Sequence, residues 1–412
     1  MARYAKTLSS GGDNTEHLST GVLALCFPLR DVQAVIDSCG RASRRIRDLP
    51  AAVVAYYIIS MSLYPSVGYE GVLRWMLKGL QWLRAGVFRV STKGALSAAR
   101  QKLGEQPMRE IFNRMALPLN VKKSKGSFWK GFHVVAVDGS TLALQDTEAN
   151  RAAFGRPSNQ HGEGGYPLAR FVVLVEVGTH LVFEAEIGSY HQSEIVLAEK
   201  IVSRLQENML CLADRLYPSY ALWKQASATG AHLLWRSKTG QALERLQTLA
   251  DGSWLARWKD PNSKDATTVR VIEYRLEGGA PTVYRLLTTL LDPAVASAAE
   301  LAAFYPQRWE AELAFRETKQ VLRDGQATLR SKVPELVRQE FWGLLLAHYL
   351  VRKMMAQAAL DRKIDPDELS FKNCVSVVHS SAAGHGLSFS PSETDKDAPV
   401  AAGRLRRTES QP

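Results

Sequence analysis

The chain has 412 residues, of which 46% are apolar and 23% are charged, a composition typical of a folded protein with room for two or three domains. This composition excludes a fibrous or wholly disordered protein. Lysine and arginine total 52 against 41 acidic residues, which gives a formal net charge of +11. The surplus is spread along the chain and favours a polyanionic partner, although a basic enzyme that binds no nucleic acid is an equal alternative.

Cysteine usage and hydropathy indicate where the protein works. The four cysteines, Cys26, Cys39, Cys211 and Cys374, are too scattered for a disulfide framework or a zinc knuckle, and they fit a reducing compartment. The N-terminus lacks the layout of a secretion signal. The longest apolar run, 51–63, is shorter than the ~20 residues that span a bilayer, so we interpret it as a buried helix. We expect a cytoplasmic protein without a membrane partner.

The first part of the chain has a helical pattern. After a flexible N-terminus at 1–17, apolar residues recur at three-and-four spacing through 18–120, which predicts an all-helical region. A helix that opens near Gly94 is predicted to present Ser97, Arg100 and Lys93 outward, where they would contact DNA. A solvated helix face with ordinary positive charges explains these residues equally well.

A basic connector at 121–130 leads into a second domain, 131–360, which begins with runs rich in β-branched residues. Strands followed by a helix and a further strand predict an α/β fold, a mixed sheet flanked by helices. The predicted elements are strands at 133–138, 169–177, 180–187, 209–214 and 232–237 and helices at 193–207 and 217–228. Short alternating runs between Gly and Pro residues predict a β-rich insertion at 239–282. The segment 386–412 has no periodicity, which predicts a disordered tail.

Two aspartates are predicted at the ends of apolar strands. Asp138 follows Val134–Val137, and Asp214 follows the run from Met209. Carboxylates on neighbouring strands can share a divalent cation, since Mg²⁺ prefers oxygen ligands. Taken singly, an aspartate after a strand is more often a turn former or a helix cap.

A more specific pattern occupies the helix predicted to begin at Pro306, a residue that suits a first helical turn. From Arg308, Glu312 and Lys319 follow at steps of four and seven residues, which places all three on one helix face, with Tyr305 at its start. One acid between two cations suits a site where a metal ligand and phosphate contacts converge. A salt-bridged surface helix is the alternative if this segment is considered without the two aspartates.

The spacing of Tyr305, Arg308, Glu312 and Lys319 resembles the signature of DDE transposases in the insertion-sequence-four-like group of bacterial mobile elements. Further stretches resemble the same family in the same order: 137–140, 146–155, 212–215 and 326–332. The resemblance covers roughly 18–353. It implies an RNase H-like catalytic domain interrupted by the β-rich insertion, with a helical N-terminal region that binds the element's ends.

The resemblance also implies the chemistry. Asp138, Asp214 and Glu312 would be the catalytic metal ligands for two Mg²⁺ ions, with Mn²⁺ as a substitute. Tyr305, Arg308 and Lys319 would contact phosphate near the scissile bond. The implied reaction is cut-and-paste transposition of double-stranded DNA: hydrolysis at terminal inverted repeats, then strand transfer of the 3′-hydroxyl ends into target DNA. The implied enzyme is nucleoid-associated and a homodimer in its DNA complex.

Related enzymes often form hairpin ends, assisted by an aromatic residue of the insertion that stacks on a flipped base. Trp254 and Trp258 are candidates by position, although a tryptophan in a small β unit is more often core. Glu194 opens the helix after the third strand. It either supports the metal ligands or places its negative charge at the positive end of the helix dipole, and we favour the second role. A host nuclease of the same fold that cuts without joining, and a catalytically silent transposase-derived DNA-binding protein, are the alternative functions.

Overall fold

The computed structural model describes residues 18–43, 49–80, 91–119, 126–159, 162–238, 240–275 and 283–380. The predicted flexible N-terminus at 1–17 and the predicted tail at 386–412 lie outside these residues. So do residue 120, residues 121–125 of the basic connector, and residues 239 and 276–282 of the predicted insertion.

The region before the sheet is helical, as predicted. Its described helices are α1 (Leu18–Cys26), α2 (Leu29–Ser38), α3 (Ala51–Leu63), α4 (Tyr69–Leu80), α5 (Lys93–Leu103) and α6 (Gln106–Met115). The apolar run at 51–63 forms α3, and almost all of its side chains are buried. No helix in the described ranges combines the length and apolarity that crossing a bilayer requires.

One large sheet forms the centre of the remaining chain. Its strands are β1 (Phe128–Trp129), β2 (Phe132–Ala143), β5 (Leu168–Glu176), β6 (Leu181–Ser189), β7 (Met209–Ala213), β8 (His232–Arg236), β9 (Glu244–Thr248), β10 (Trp254–Lys259), β11 (Ala266–Tyr274) and β12 (Tyr284–Thr288). A separate short hairpin joins β3 (Ser158–Asn159) and β4 (Gly162–Glu163). The order across the large sheet is β6-β5-β2-β7-β8-β12-β11-β10-β9, with β1 paired to β2. The pairs β2–β7 and β7–β8 are parallel and the others are antiparallel, so the sheet is mixed, as predicted.

Strand β2 is longer than the sequence predicts. We expected it to end at Asp138, but it continues to Ala143 because β5 pairs with it along this whole extension, from Asp138 opposite Val173 to Ala143 opposite Leu168. On its other side, β2 is paired with β7 only as far as Val137. Asp138 therefore lies in the middle of its own strand but at the point where the neighbouring strand ends.

The predicted insertion contains β9, β10 and β11, and these strands are not a separate sheet. Through β12 they continue the central sheet from β8. The buried guanidinium of Arg270 on β11 fixes this part to the chain that follows, because it donates hydrogen bonds to the carbonyl oxygens of Leu290 (3.1 Å) and Ala296 (2.7 Å). The added strands are thus rigidly connected to the sheet that carries the aspartates.

Helices pack against the sheet and complete the α/β fold. They are α7 (Glu148–Phe154), α8 (Glu194–Ile201), α9 (Tyr220–Ser227), α10 (Ala298–Phe304), α11 (Glu310–Arg316), α12 (Pro334–Arg362) and α13 (Phe371–Ser380). Helix α8 contacts β5 and β6, α11 contacts β2, and α12 contacts both β6 and α3. A Cβ at Gly343 of α12 would lie 2.7 Å from Cγ2 of Ile58, so a glycine allows α12 and α3 to approach this closely.

The segment that carries the Tyr-Arg-Glu-Lys spacing is not one regular helix. After α10, a 3₁₀ turn spans Tyr305–Trp309, α11 spans Glu310–Arg316, and a π-helical turn spans Glu317–Val321. Pro306 has no N–H to donate, which fits its place in the tight first turn. The predicted helix beginning at Pro306 is therefore correct in position but wrong in regularity.

Candidate active site

The two aspartates meet where β7 ends. Val137 pairs with Ala213 in the parallel register, so Asp138 and Asp214 are the next residues on two adjacent strands. Each carboxylate accepts a hydrogen bond from the backbone N–H that follows it, from Gly139 at 2.8 Å and from Arg215 at 2.6 Å. These bonds orient both side chains at the same edge of the sheet.

Arg308 connects Asp138 to the helical segment. Its Nη1 lies 3.6 Å from Oδ2 of Asp138 and its Nη2 lies 3.5 Å from Oε1 of Glu312. The side chain of Arg308 is 6% exposed, and its Nε has no hydrogen-bond partner among the described residues. The guanidinium therefore supplies positive charge between two carboxylates at a site that retains unsatisfied hydrogen-bonding capacity.

Lys319 and Tyr305 approach the aspartates from the two ends of the segment. Nζ of Lys319 donates to Oγ of Ser140 at 2.9 Å, which places this half-buried amine two residues from Asp138 on β2. The hydroxyl of Tyr305 donates to the carbonyl oxygen of Ala213 at 3.1 Å. A phosphate oxygen needs a donor, so a contact between Tyr305 and phosphate would require this hydroxyl to give up its hydrogen bond to Ala213.

Burial dominates the electrostatics of Asp138. It raises the pKa of this carboxyl to about 6, because the hydrogen bond from Gly139 and the charge of Arg308 offset the loss of solvent only in part. The nearby carboxylates of Glu312 and Glu194 raise the pKa further. Burial alone would lower the pKa of Arg308, but the surrounding acids hold it above its ordinary value. Negative charge is therefore concentrated around the largely buried Asp138, which suits a cation.

Glu194 is closer to this site than the sequence suggested. It is the first residue of α8, and its carboxylate lies against the backbone of Gly139. The hydroxyl of Tyr217 donates to its Oε2 at 3.1 Å. The sequence offered a signal for this contact, because a glycine directly after Asp138 leaves room for a side chain from another element.

Arg100 is not on the surface. It is 4% exposed, and its guanidinium donates to Gln339, Ser331 and the carbonyl oxygen of Leu336 at 2.9 to 3.1 Å. The prediction that Arg100 faces outward to contact DNA is therefore wrong, since this arginine joins α5 to the start of α12. Ser97 on the same helix is exposed, as predicted.

Neither tryptophan of the insertion is placed for stacking on a base. Trp254 and Trp258 are each 5% exposed. Trp258 packs with Tyr220 and Trp223, and Arg245 covers the ring of Trp254. The proposed stacking role is corrected to a core role, because pairing of β10 between β9 and β11 turns both rings into the protein.

An exposed tryptophan lies within the helical segment itself. Trp309 is 57% exposed, and the guanidinium of its neighbour Arg308 lies 4.7 Å from its ring centroid. Sequence reasoning missed Trp309, although it lies three residues before Glu312, a spacing that places two residues on the same side of a regular helix.

A basic pocket adjoins Asp214. Its cationic lining residues are Arg215, Arg236, Lys238 and Arg285. Nη1 of Arg236 lies 3.9 Å from Oδ1 of Asp214, and its guanidinium lies 4.7 Å from the ring of Tyr284. Cations next to an aromatic ring suit contact with a nucleotide. Arg236 lies on β8 and Arg285 on β12, while Arg215 and Lys238 follow β7 and β8. The sequence alone does not bring these separate segments together.

A second polar cluster lies where the turn after β5 meets α11. Nε2 of His180 is 2.8 Å from Oε2 of Glu310 and 3.7 Å from Oδ1 of Asp367. Arg352 contacts His180 from the other side and donates to Oε2 of Glu317 at 2.8 Å. We interpret this cluster as an ion-pair network that holds the π-helical turn to α12.

Comparison with known proteins agrees with this architecture. Residues 17–113 match the family model described as the insertion element 4 transposase N-terminal region, and residues 129–350 match the transposase DDE domain, whose fold is RNase H-like. The chain is 32% identical over 358 residues to "Transposase InsG for insertion sequence element IS4" of Escherichia coli strain K12, covering 84% of this chain and 79% of that protein. It is 25% identical to "Putative transposase InsZ" of the same strain, covering 53% of this chain and 71% of that protein. The chain therefore belongs to the IS4 family of DDE transposases, enzymes that act on DNA and depend on a divalent metal.

Proposed function

We propose that this transposase hydrolyses phosphodiester bonds at the terminal inverted repeats of its element and transfers the 3′-hydroxyl ends into target DNA. The observation that carries the proposal is the gathering of Asp138, Asp214 and Glu312 around the buried Arg308 at one sheet edge. Each acid belongs to a different element of the fold, so the sheet and the helical segment together build the site.

The donor set fits Mg²⁺, with Mn²⁺ as a substitute, because all three proposed ligands offer carboxylate oxygens. We propose two ions per site. When bound, they would activate water or a 3′-hydroxyl for in-line attack and stabilise the leaving oxygen. Asp138 and Asp214 are oriented by backbone N–H groups, and the 46% exposed side chain of Glu312 has freedom to adjust to the ions.

The cations of the site suit a DNA strand. Arg308 and Lys319 flank Glu312 and are proposed to contact phosphate near the scissile bond, while the basic pocket beside Asp214 would hold the adjoining backbone. Trp309 replaces the two buried tryptophans as the candidate for contact with a base. Ser97 remains a proposed contact of the helical region with the element's end.

A homodimer in the DNA complex is part of the proposal. Cut-and-paste transposition joins two element ends to one target, and the described chain brings together a single set of these acids. Two copies would therefore supply one site for each end. Cross-linking on paired ends would test this arrangement.

The cutting step is tested with purified protein, DNA that carries the element's terminal inverted repeats, and Mg²⁺ or Mn²⁺. We expect Asp138→Ala, Asp214→Ala and Glu312→Gln each to abolish cutting and to retain DNA binding. Glu199→Gln, at a half-buried acid further along α8, serves as the matched acid control. Undiminished cutting by any of the three variants would remove that residue from the proposed site.

A strand-transfer assay separates transposition from simple cutting. Supplying pre-cut ends and a target plasmid should give joined products, whereas a host nuclease of this fold would yield broken ends alone. A denaturing gel of the cleavage products will show whether the 3′ ends pass through hairpins. Binding without any cutting would instead indicate a catalytically silent protein.

A further inference from the structure

The position of the Glu194 carboxylate depends on the absence of a side chain at Gly139. A Cβ at residue 139 would lie 2.4 Å from Oε2 and 2.6 Å from Cδ of Glu194, distances that real Cβ atoms essentially never show. Gly139 is therefore needed for this carboxylate to lie where it does. Since Asp138 is the preceding residue, the carboxylate of Glu194 is held against the backbone directly beside the proposed ligand.

A buried tyrosine connects Glu194 to the other aspartate. The hydroxyl of Tyr217, a residue that is 1% exposed, donates to Oε2 of Glu194 at 3.1 Å. The backbone N–H of Tyr217 donates to the carbonyl oxygen of Asp214, also at 3.1 Å. One rigid residue thus fixes the loop of Asp214 and the carboxylate of Glu194 relative to each other.

The charges agree with this geometry. Burial raises the pKa of Tyr217 well above its ordinary value, and the carboxylates of Glu194, Asp138 and Asp214 act in the same direction. The charges of all three carboxylates thus affect the pKa of the same Tyr217 hydroxyl. Within the described parts of the chain, no lysine, arginine or histidine lies within 4.0 Å of the Glu194 carboxylate. Its negative charge lacks the protein cation that would normally accompany a half-buried acid.

We propose that Glu194 is a fourth carboxylate of the divalent-metal site, alongside Asp138, Asp214 and Glu312. The inference rests on the proposed function, because it takes those three residues as ligands. Ser193 already caps α8 through a hydrogen bond from Val196 to its Oγ at 3.3 Å. A role limited to the helix end would require neither the contact with Gly139 nor the hydrogen bond from Tyr217.

The test measures Mn²⁺ binding to the full-length protein without DNA, by calorimetry and by the electron paramagnetic resonance signal of free Mn²⁺. Four proteins are compared: the wild type, Glu194→Gln, Glu199→Gln and Asp138→Asn. We expect Glu199→Gln to bind as the wild type does, and Glu194→Gln to bind about 10-fold more weakly or worse. Equal affinity of Glu194→Gln and wild type, with loss of binding in Asp138→Asn, would overturn the role of Glu194. Unchanged binding in Asp138→Asn would instead refute the proposed metal site itself.

A second variant covers the possibility that Glu194→Gln fails to fold. Glu194→Asp keeps the negative charge at the start of α8 but shortens the side chain by one methylene. We expect Mn²⁺ affinity between those of wild type and Glu194→Gln, because the carboxylate no longer reaches Gly139. Wild-type affinity in Glu194→Asp would support the helix-end role and contradict the proposal. Thermal unfolding without metal confirms that each variant is folded.

Discussion

The hydroxyl of Tyr305 donates a hydrogen bond to the carbonyl oxygen of Ala213, the last residue of β7. This bond joins the 3₁₀ turn that precedes Glu312 to the strand that precedes Asp214. Both residues are buried, so the bond is shielded from water. The relationship makes Tyr305 a positioning residue for the aspartate edge of the site.

Replacing Tyr305 by Phe removes this bond and keeps the ring packing. We expect a loss of about 1 kcal/mol in the free energy of unfolding, together with slower cutting and unchanged affinity for terminal inverted repeats. Urea unfolding and a single-turnover cleavage assay measure the two effects. Weaker DNA binding at unchanged stability would instead support the phosphate contact that the family resemblance implies.

Asp138 should destabilise the metal-free protein at neutral pH. Its pKa is raised to about 6 in the folded protein. Its favourable contribution to the free energy of unfolding is therefore fully present below its unfolded-state pKa near 4 and is lost as the pH rises through about 6. In EDTA at pH 8, Asp138→Asn should therefore be more stable than wild type by about 2 to 3 kcal/mol. The advantage should vanish near pH 4. Urea unfolding at both pH values provides the measurement, and a less stable variant at pH 8 would contradict the argument.

Glu317, in contrast to Asp138, should stabilise the folded protein at neutral pH. Burial alone would raise its pKa, but Arg352, His180 and His348 hold it well below its ordinary value. Its contribution to stability is then present above its unfolded pKa and lost as the pH falls through its low folded pKa. Glu317→Gln leaves buried Arg352 without its carboxylate and should cost about 3 to 5 kcal/mol at pH 7. Glu244→Gln, which removes an exposed ion pair with Lys259 outside this network, is the control. An equally small cost for both variants in urea unfolding would refute the network.

Two tryptophans provide a matched contrast. Trp309→Ala removes a largely exposed ring and should change stability by no more than about 0.5 kcal/mol, while weakening binding of the cleaved DNA end by about 1 to 3 kcal/mol. Trp258→Ala removes a buried ring and should cost about 3 to 5 kcal/mol of stability. Thermal unfolding and fluorescence anisotropy with labelled DNA separate the two effects. An unaltered DNA affinity in Trp309→Ala would remove this residue from the DNA surface.

Local patterns predicted much of the fold. The strands predicted at 169–177 and 180–187 form the β5–β6 hairpin, and Pro306 lies in the first turn of its helical segment as expected. These features depend on residues close together in sequence. The full length of β2 was missed because Gly139 and Ser140 look like turn residues, whereas pairing with β5 keeps them in a strand.

The remaining errors share one physical cause. Burial of Arg100 depends on α12, more than 200 residues further along the chain, and burial of Trp258 depends on its contact with α9. The contact of Glu194 with Gly139 likewise joins elements 55 residues apart. Such contacts follow from tertiary packing, and neither periodicity nor spacing encodes them. The aspartates and Glu312 were predicted because they lie in short local motifs, the apolar runs before Asp138 and Asp214 and the spacing around Glu312, that resemble those of the family.

The packing of α12 has a geometrical consequence. Gln339 donates to the carbonyl oxygens of Arg100 and Gly104 at 2.9 and 2.7 Å, while α12 also contacts α3 and α6. Helix α12 thus packs against both the helical region and the sheet and joins them rigidly. If the helical region binds the element's end, as its resemblance to the family implies, this packing would hold the bound sequence at a fixed distance from Glu312. We therefore expect the number of base pairs between the bound sequence and the cut to depend on the fold and to be the same at both ends of the element.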